Sequence, residues 1–171
     1  GVSLGGGTLR TTADLPSDRA FALTGNGTIL SPADTGFTLN GPLSGTGLLT
    51  KSGTGTLLLT GDSSGYAATT TVAGGTLAVD GRLGSVVTVS GVGRLEGAGR
   101  VGGITNGGVV APGRNGIGTL TVAGDYVGNG GGIGLNTYLG DDSSPSDRLV
   151  INGGTGTGTS ELFITNTTGP G

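Results

Sequence analysis

The chain has no cysteine, methionine, histidine or tryptophan, and charged residues make up only 11 % of it. Each absence removes a class of chemistry. Without histidine, the usual base for a serine nucleophile is missing. Without cysteine there is no disulfide framework, which suits a secreted protein that must not be trapped before export and equally suits a cytosolic one. The missing methionine implies that the sequence begins at a point of cutting or processing, with any signal peptide outside it. No apolar run approaches the roughly eighteen residues that cross a bilayer as a helix. Eight Lys and Arg are scattered singly from Arg10 to Arg148 under a net charge of −3, and aromatics are 4 %. Neither a basic stripe for a phosphate backbone nor a platform for stacked bases is present, so nucleic acid is excluded as a partner.

What is present in abundance is glycine, 42 of 171 residues, without the strict triplet of collagen and with only 6 prolines. The remainder is dominated by Thr, Val, Leu, Ile, Ala, Ser and Asn, which are strand formers and turn formers. No window carries a helical apolar stripe, so the chain reads as all-β. It also repeats itself. "GGGTLRTTAD" (5–14), "GNGTILSPAD" (25–34), "GTGTLLLTGD" (53–62), "GGTLAVDGRL" (74–83) and "GIGTLTVAGD" (116–125) share a Gly-x-apolar core. The steps Leu9 to Ile29, Ile29 to Leu48, Leu57 to Leu77 and Leu77 to Leu95 are 18 to 20 residues each, a solenoid-like period.

Between these cores lie further short strands, "FALT" (21–24), "GFTLN" (36–40), "TTTVAG" (69–74) and "SVVTVSG" (85–91). Asn-Gly pairs at Asn26, Asn40, Asn106, Asn115, Asn129 and Asn152 can mark hairpins or the corners of a coil. The period favours corners, because three short strands and three turns consume about that many residues. The expected architecture is a parallel β-helix with inward Leu, Ile and Val stacked in one column. Residues 1–90 read as its coils. Residues 91–171 have longer spacings, two of the three tyrosines (Tyr126 and Tyr138) and the longest strand signals, "RLVIN" (148–152) and "ELFIT" (161–165). They read as modified coils followed by an element that closes the column.

Candidate chemistry is sparse. "GDSSGY" (61–66) places Ser63 and Ser64 where some hydrolases keep a nucleophile, but the only base at hand would be Lys51, at an expected corner. A turn shaped by Gly61, Asp62 and Gly65 explains the stretch better. Asp141, Asp142 and Asp147 are close in sequence and carry calcium-type oxygens, yet lack the spacing of a calcium loop. A solvated acidic loop accounts for them. Glu96 and Glu161 are the only glutamates, and nothing marks out a glycosidase pair. No catalytic residue, metal, cofactor or small-molecule substrate is expected.

"GTGLLTKSGTGTLLLTGDSSGYAATTTVAGGTLAVDG" (45–81) resembles the autotransporter-associated β-strand repeat of Gram-negative type V secreted proteins, with "GDSSGY" on its turn and Tyr66 on its recurrent tyrosine. The following segment is similar to the autochaperone region of such passengers through Ala111-Pro112-Gly113, Gly118 to Val122 and Asp147 to Ile151. Residues 1–40 look like more degenerate coils. The resemblance implies a right-handed β-helix stem outside the cell, non-enzymatic, whose upstream coils fold onto its autochaperone part. It also implies a membrane β-barrel in the same polypeptide, outside this sequence. Strand length then nominates Leu149, Val150, Ile151, Leu162, Phe163 and Ile164, with Tyr126, as a folding nucleus. Adhesion or self-association through coil faces or an exposed edge is the alternative.

Overall fold

A computed structural model describes residues 1–141 and 143–168, and all regular structure among them is β. The chain winds in successive coils. The first holds β1 (Val2–Leu4), β2 (Gly7–Arg10) and β3 (Leu15–Ser17), and the next β4 (Phe21–Leu23), β5 (Gly27–Leu30) and β6 (Gly36–Leu39). There follow β7 (Leu43–Gly45), β8 (Leu49–Ser52) and β9 (Thr56–Leu59), then β10 (Asp62–Ser63), β11 (Thr70–Val72) and β12 (Gly75–Val79). Beyond these, strands run through corners. The coils become β13 (Arg82–Val89) with β14 (Gly93–Gly97), β15 (Arg100–Asn106) with β16 (Val109–Pro112), β17 (Thr119–Val122) with β18 (Tyr126–Thr137), and β19 (Arg148–Ile151) with β20 (Gly156–Asn166).

Strands pair in parallel with their counterparts one coil on, except that β7 ladders with β4 and not with β10, so three walls enclose a single column, a β-solenoid. Because side chains alternate across a strand, every second residue points into that column. Along one wall the register is Leu15, Phe37, Leu57, Leu77, Leu95, Val110, Ile133 and Leu162. Those from Phe37 to Val110 are fully buried, each contributing about 1.5–3 kcal/mol through apolar burial. Phe21 and Phe37 meet edge to face across the interior, with ring centroids 5.5 Å apart.

The corners explain much of the glycine. At the end of β14, Gly97 has φ +124°, and a Cβ there would strike the carbonyl oxygen of Val79 on the coil below. Only a residue without a side chain lets the coils turn at one shared position.

Two expectations about the coils are corrected. Ile29 is followed in the ladder not by Leu48 but by Lys51. Leu48 lies in the corner, 46 % exposed, where its amide donates to the Asn26 side chain at 3.0 Å. Lys51, expected at a corner, is instead an inward residue of β8 with no exposed surface. The register decides both, because Leu49 and Lys51 alternate inward and leave Thr50 out.

Candidate functional site

The stretch "GDSSGY" forms a plug. β10 shortens to two residues, and Ser63 turns inward so that its Oγ accepts the Leu43 amide at 2.8 Å. The Tyr66 amide closes the turn on Ser63 O at 3.0 Å. The Tyr66 ring is fully buried, with its hydroxyl donating to Gly47 O at 2.7 Å, and burial pushes its pKa up to about 12. Ser63 therefore replaces a missing ladder partner, and Tyr66 fills the interior where the wall is thin. Lys51 Nζ donates to the carbonyls of Ser52 (2.7 Å), Gly53 (3.1 Å) and Gly74 (3.2 Å). Burial pulls the Lys51 pKa down to about 8. The serine and the lysine of a hypothetical nucleophile pair are each committed to backbone partners.

The acidic loop separates into two roles. Asp147 is buried, and its two oxygens accept the Gly118 and Asn136 amides, both at 2.8 Å, fastening β18 to the loop before β17. Asp141 accepts Ser143 Oγ at 2.7 Å and the Ser143 amide at 3.0 Å, which holds its carboxyl below the usual carboxylate range. Asp142 lies outside the described residues. Among the described residues no group of acids is arranged as a metal site.

The carboxy-terminal coils are held by a polar lock. Asn106, at the end of β15, is fully buried. Its Nδ2 donates to Tyr126 Oη at 3.0 Å and Gly132 O at 2.9 Å, while its Oδ1 accepts the Gly108 amide at 3.2 Å. Tyr126 Oη is in turn 2.7 Å from Ser160 Oγ. One chain of hydrogen bonds thus runs from β15 through β18 to β20, and in the interior such a chain is worth more than in water. Asp125 adds a brace at the corner: its carboxylate accepts the Thr155 amide at 2.8 Å, which keeps its pKa below the ordinary value. The sequence nominated Tyr126 but missed Asn106, which reads as one more Asn-Gly corner. Its inward alternation with Ile104 was the available signal.

The other nominated nucleus residues sit on the last coil. Leu149 is half-buried over Leu120, while Val150 and Ile151 are exposed. Leu162, Phe163 and Ile164 on β20 are 55 %, 50 % and 62 % exposed. Exposure grades along the column: Val110 is fully buried, Ile133 partly, and Leu162 mostly open. The opposite end does the same, with Leu15 48 % exposed ahead of a buried Phe37. β19 and β20 thus close the coil beneath them and present a new apolar surface of their own. β20 pairs with β18 over most of its length, from Tyr126 with Gly156 to Thr137 with Asn166.

Comparison with known proteins bears on these same segments. Residues 49–79, which include the Lys51 strand and the Tyr66 plug, match the passenger-associated transport repeat. Residues 101–171, which include the polar lock and the open coil, match the family described as Autochaperone Domain Type 1. The chain is 46 % identical to the adhesin BmaC autotransporter of Brucella suis biovar 1 (strain 1330) over 168 residues, 98 % of this chain and 5 % of that protein. It is also 40 % identical over 93 residues to the uncharacterized protein YuaQ of Escherichia coli (strain K12), 51 % of this chain and 6 % of that one. The chain therefore spans a small part of each of these relatives. With a transport repeat in its middle coils and an autochaperone domain in its last ones, it belongs to the passengers of Gram-negative autotransporters.

Proposed function

We propose that residues 100–168 act as a non-enzymatic folding template for the coils that precede them, during export of the passenger to the cell surface. The polar lock carries this reading. A solenoid's first coil costs loop-closure entropy that one coil cannot offset, whereas each added coil gains a full set of pairings on an existing face. Asn106, Tyr126 and Ser160 tie three consecutive coils in one register and so supply a nucleus. The long pairing of β18 with β20 strengthens it. Tyr126, Leu149, Val150, Ile151, Leu162, Phe163 and Ile164 are its proposed members, the aliphatic ones through collapse before neighbouring coils dock.

The test is refolding of the whole chain from guanidinium with pulsed hydrogen exchange read by mass spectrometry. The expected result is that β15 to β20 gain protection before β4 to β9. Earlier or simultaneous protection of β4 to β9 would sink the reading. A second reading, adhesion or self-association on the bacterial surface, draws on the name of the Brucella relative. It predicts concentration-dependent sedimentation or binding to a host surface.

A further inference from the structure

A groove of about 670 Å³ runs along the outside of the wall built by β3, β6 and β9, as far as β14. Its volume falls within the range of small-molecule sites. Since neighbouring strands lie about 4.8 Å apart, the distance from β3 to β14 is roughly 19 Å. The floor is made by outward residues of successive coils, Pro16, Thr38 and Leu58, with Thr56 beside them. One side is the pair of turns bearing Asp14 and Asp34, and the far end is the loop bearing Arg114 and Asn115.

The walls are fixed. Asp14 Oδ1 accepts the Gly36 amide at 2.7 Å, and Thr35 Oγ1 donates to Pro32 O at 2.9 Å. Arg114 lies 3.6 Å from Asp80 and 3.7 Å from Glu96. The only positive-φ residues other than glycine among those described, Asp34 (57°) and Asn115 (59°), both line this groove.

We infer that this groove binds a saccharide. Threonine hydroxyls donate and accept, carboxylates accept from hydroxyls, and Leu58 and Pro16 offer apolar surface to the C–H face of a sugar ring. A peptide strand is disfavoured, because the groove crosses paired strands and offers no free backbone edge for augmentation. A polycation is disfavoured as well. Glu96 is held by Arg94 at 3.0 Å and by Arg114, and Asp14 is engaged by Gly36, which leaves Asp34 as the one carboxylate of the three without a partner among the described residues. The groove lies on the outer flank of the coils from β3 to β14 and shares with the proposed template only the loop bearing Arg114 and Asn115, so saccharide binding does not draw on the buried lock.

The test is binding of the intact chain to a glycan microarray spanning neutral, acidic and amino sugars. The glycan found is then titrated, as a free oligosaccharide, into isotope-labelled protein, with spermine titrated in parallel. Thr56→Val removes a hydroxyl without changing charge, and Asp34→Asn removes a charge while keeping a residue that tolerates positive φ. The expected result is a saturable shift confined to residues around Thr38, Thr56 and Asn115, weakened at least tenfold by Thr56→Val, with both variants melting as the parent does. Silence across the array, shifts elsewhere on the chain, unchanged affinity in Thr56→Val, or a groove response to spermine alone would each overturn the proposal. None of these outcomes alters the order of folding predicted above.

Discussion

The middle of the column and its carboxy-terminal coils solve the same problem with different chemistry. From β4 to β14 the interior is mainly aliphatic and aromatic, interrupted by Ser31, Lys51, Ser63, Tyr66 and the Thr70–Ser85 pair, whose hydroxyls lie 2.8 Å apart, and each coil resembles its neighbours. From β15 onward two strands, β18 and β20, reach 12 and 11 residues, the aliphatic stack thins toward the open end, and Asn106 and Tyr126 take inward positions. Apolar stacking holds a coil in the column but barely distinguishes one neighbour from the next. A hydrogen-bonded lock has one partner set, and so it fixes which coil follows which.

The largest contrast is between two leucines of one ladder. Leu77 is fully buried between Leu57 and Leu95, whereas Leu162 occupies the equivalent place at the open end. Leu77→Ala is expected to lose about 3 kcal/mol through lost burial and a cavity. Leu162→Ala is expected to lose no more than about 0.5 kcal/mol, as for a surface site. Guanidinium unfolding measures both, and equal losses would mean that the last coil is covered in solution.

The two buried titrating groups give the middle coils a pH signature. Lys51 has a folded pKa near 8 against 10.5 ordinarily. Between these values the unfolded chain holds the extra proton, so stability rises with pH from about 8 to 10.5 by about 3 kcal/mol. Tyr66 is displaced upward to about 12, so its contribution is complete below about 10 and is lost as pH rises toward 12. Stability should therefore peak near pH 10. Lys51→Met should flatten the rising limb and Tyr66→Phe the falling one, both followed by denaturation at a series of pH values.

The lock should respond more locally. Asn106→Leu leaves the Tyr126 hydroxyl, Gly132 O and Gly108 amide short of a partner, for a loss of about 2 kcal/mol. Tyr126→Phe should lose about 1 kcal/mol, and the double variant less than the sum, because the residues share one bond. Additive losses would dissolve the idea of a connected lock.

The parallel coil and the ladder Leu57, Leu77 and Leu95 were legible because alternation and an 18 to 20 residue step leave little other way to bury those leucines. Lys51 was not, since a cation in a Gly-rich stretch reads as a corner until the register shows that it alternates with Leu49. Asn106 was hidden differently: its Asn-Gly signal is that of a turn, and Ser160, which completes the chain through Tyr126, lies 34 residues beyond that tyrosine. The groove is invisible in the sequence because outward threonines of a solvated wall and of a binding floor look alike.

The smallest expected effect lies where the two regions touch. Arg114, carried by the loop after β16, reaches back to Asp80 and Glu96 at the ends and edges of middle-coil strands. Both contacts are longer than a good charge-assisted hydrogen bond, and the groups are partly exposed. Arg114→Ala should therefore lose no more than about 0.5 kcal/mol, and less in high salt. Hydrogen exchange of the 113–118 loop should nevertheless quicken, because the arm anchors that loop over the middle coils without supporting the column. A loss as large as that of Asn106→Leu would make the two regions one cooperative unit, joined through a surface charge as firmly as through the buried lock.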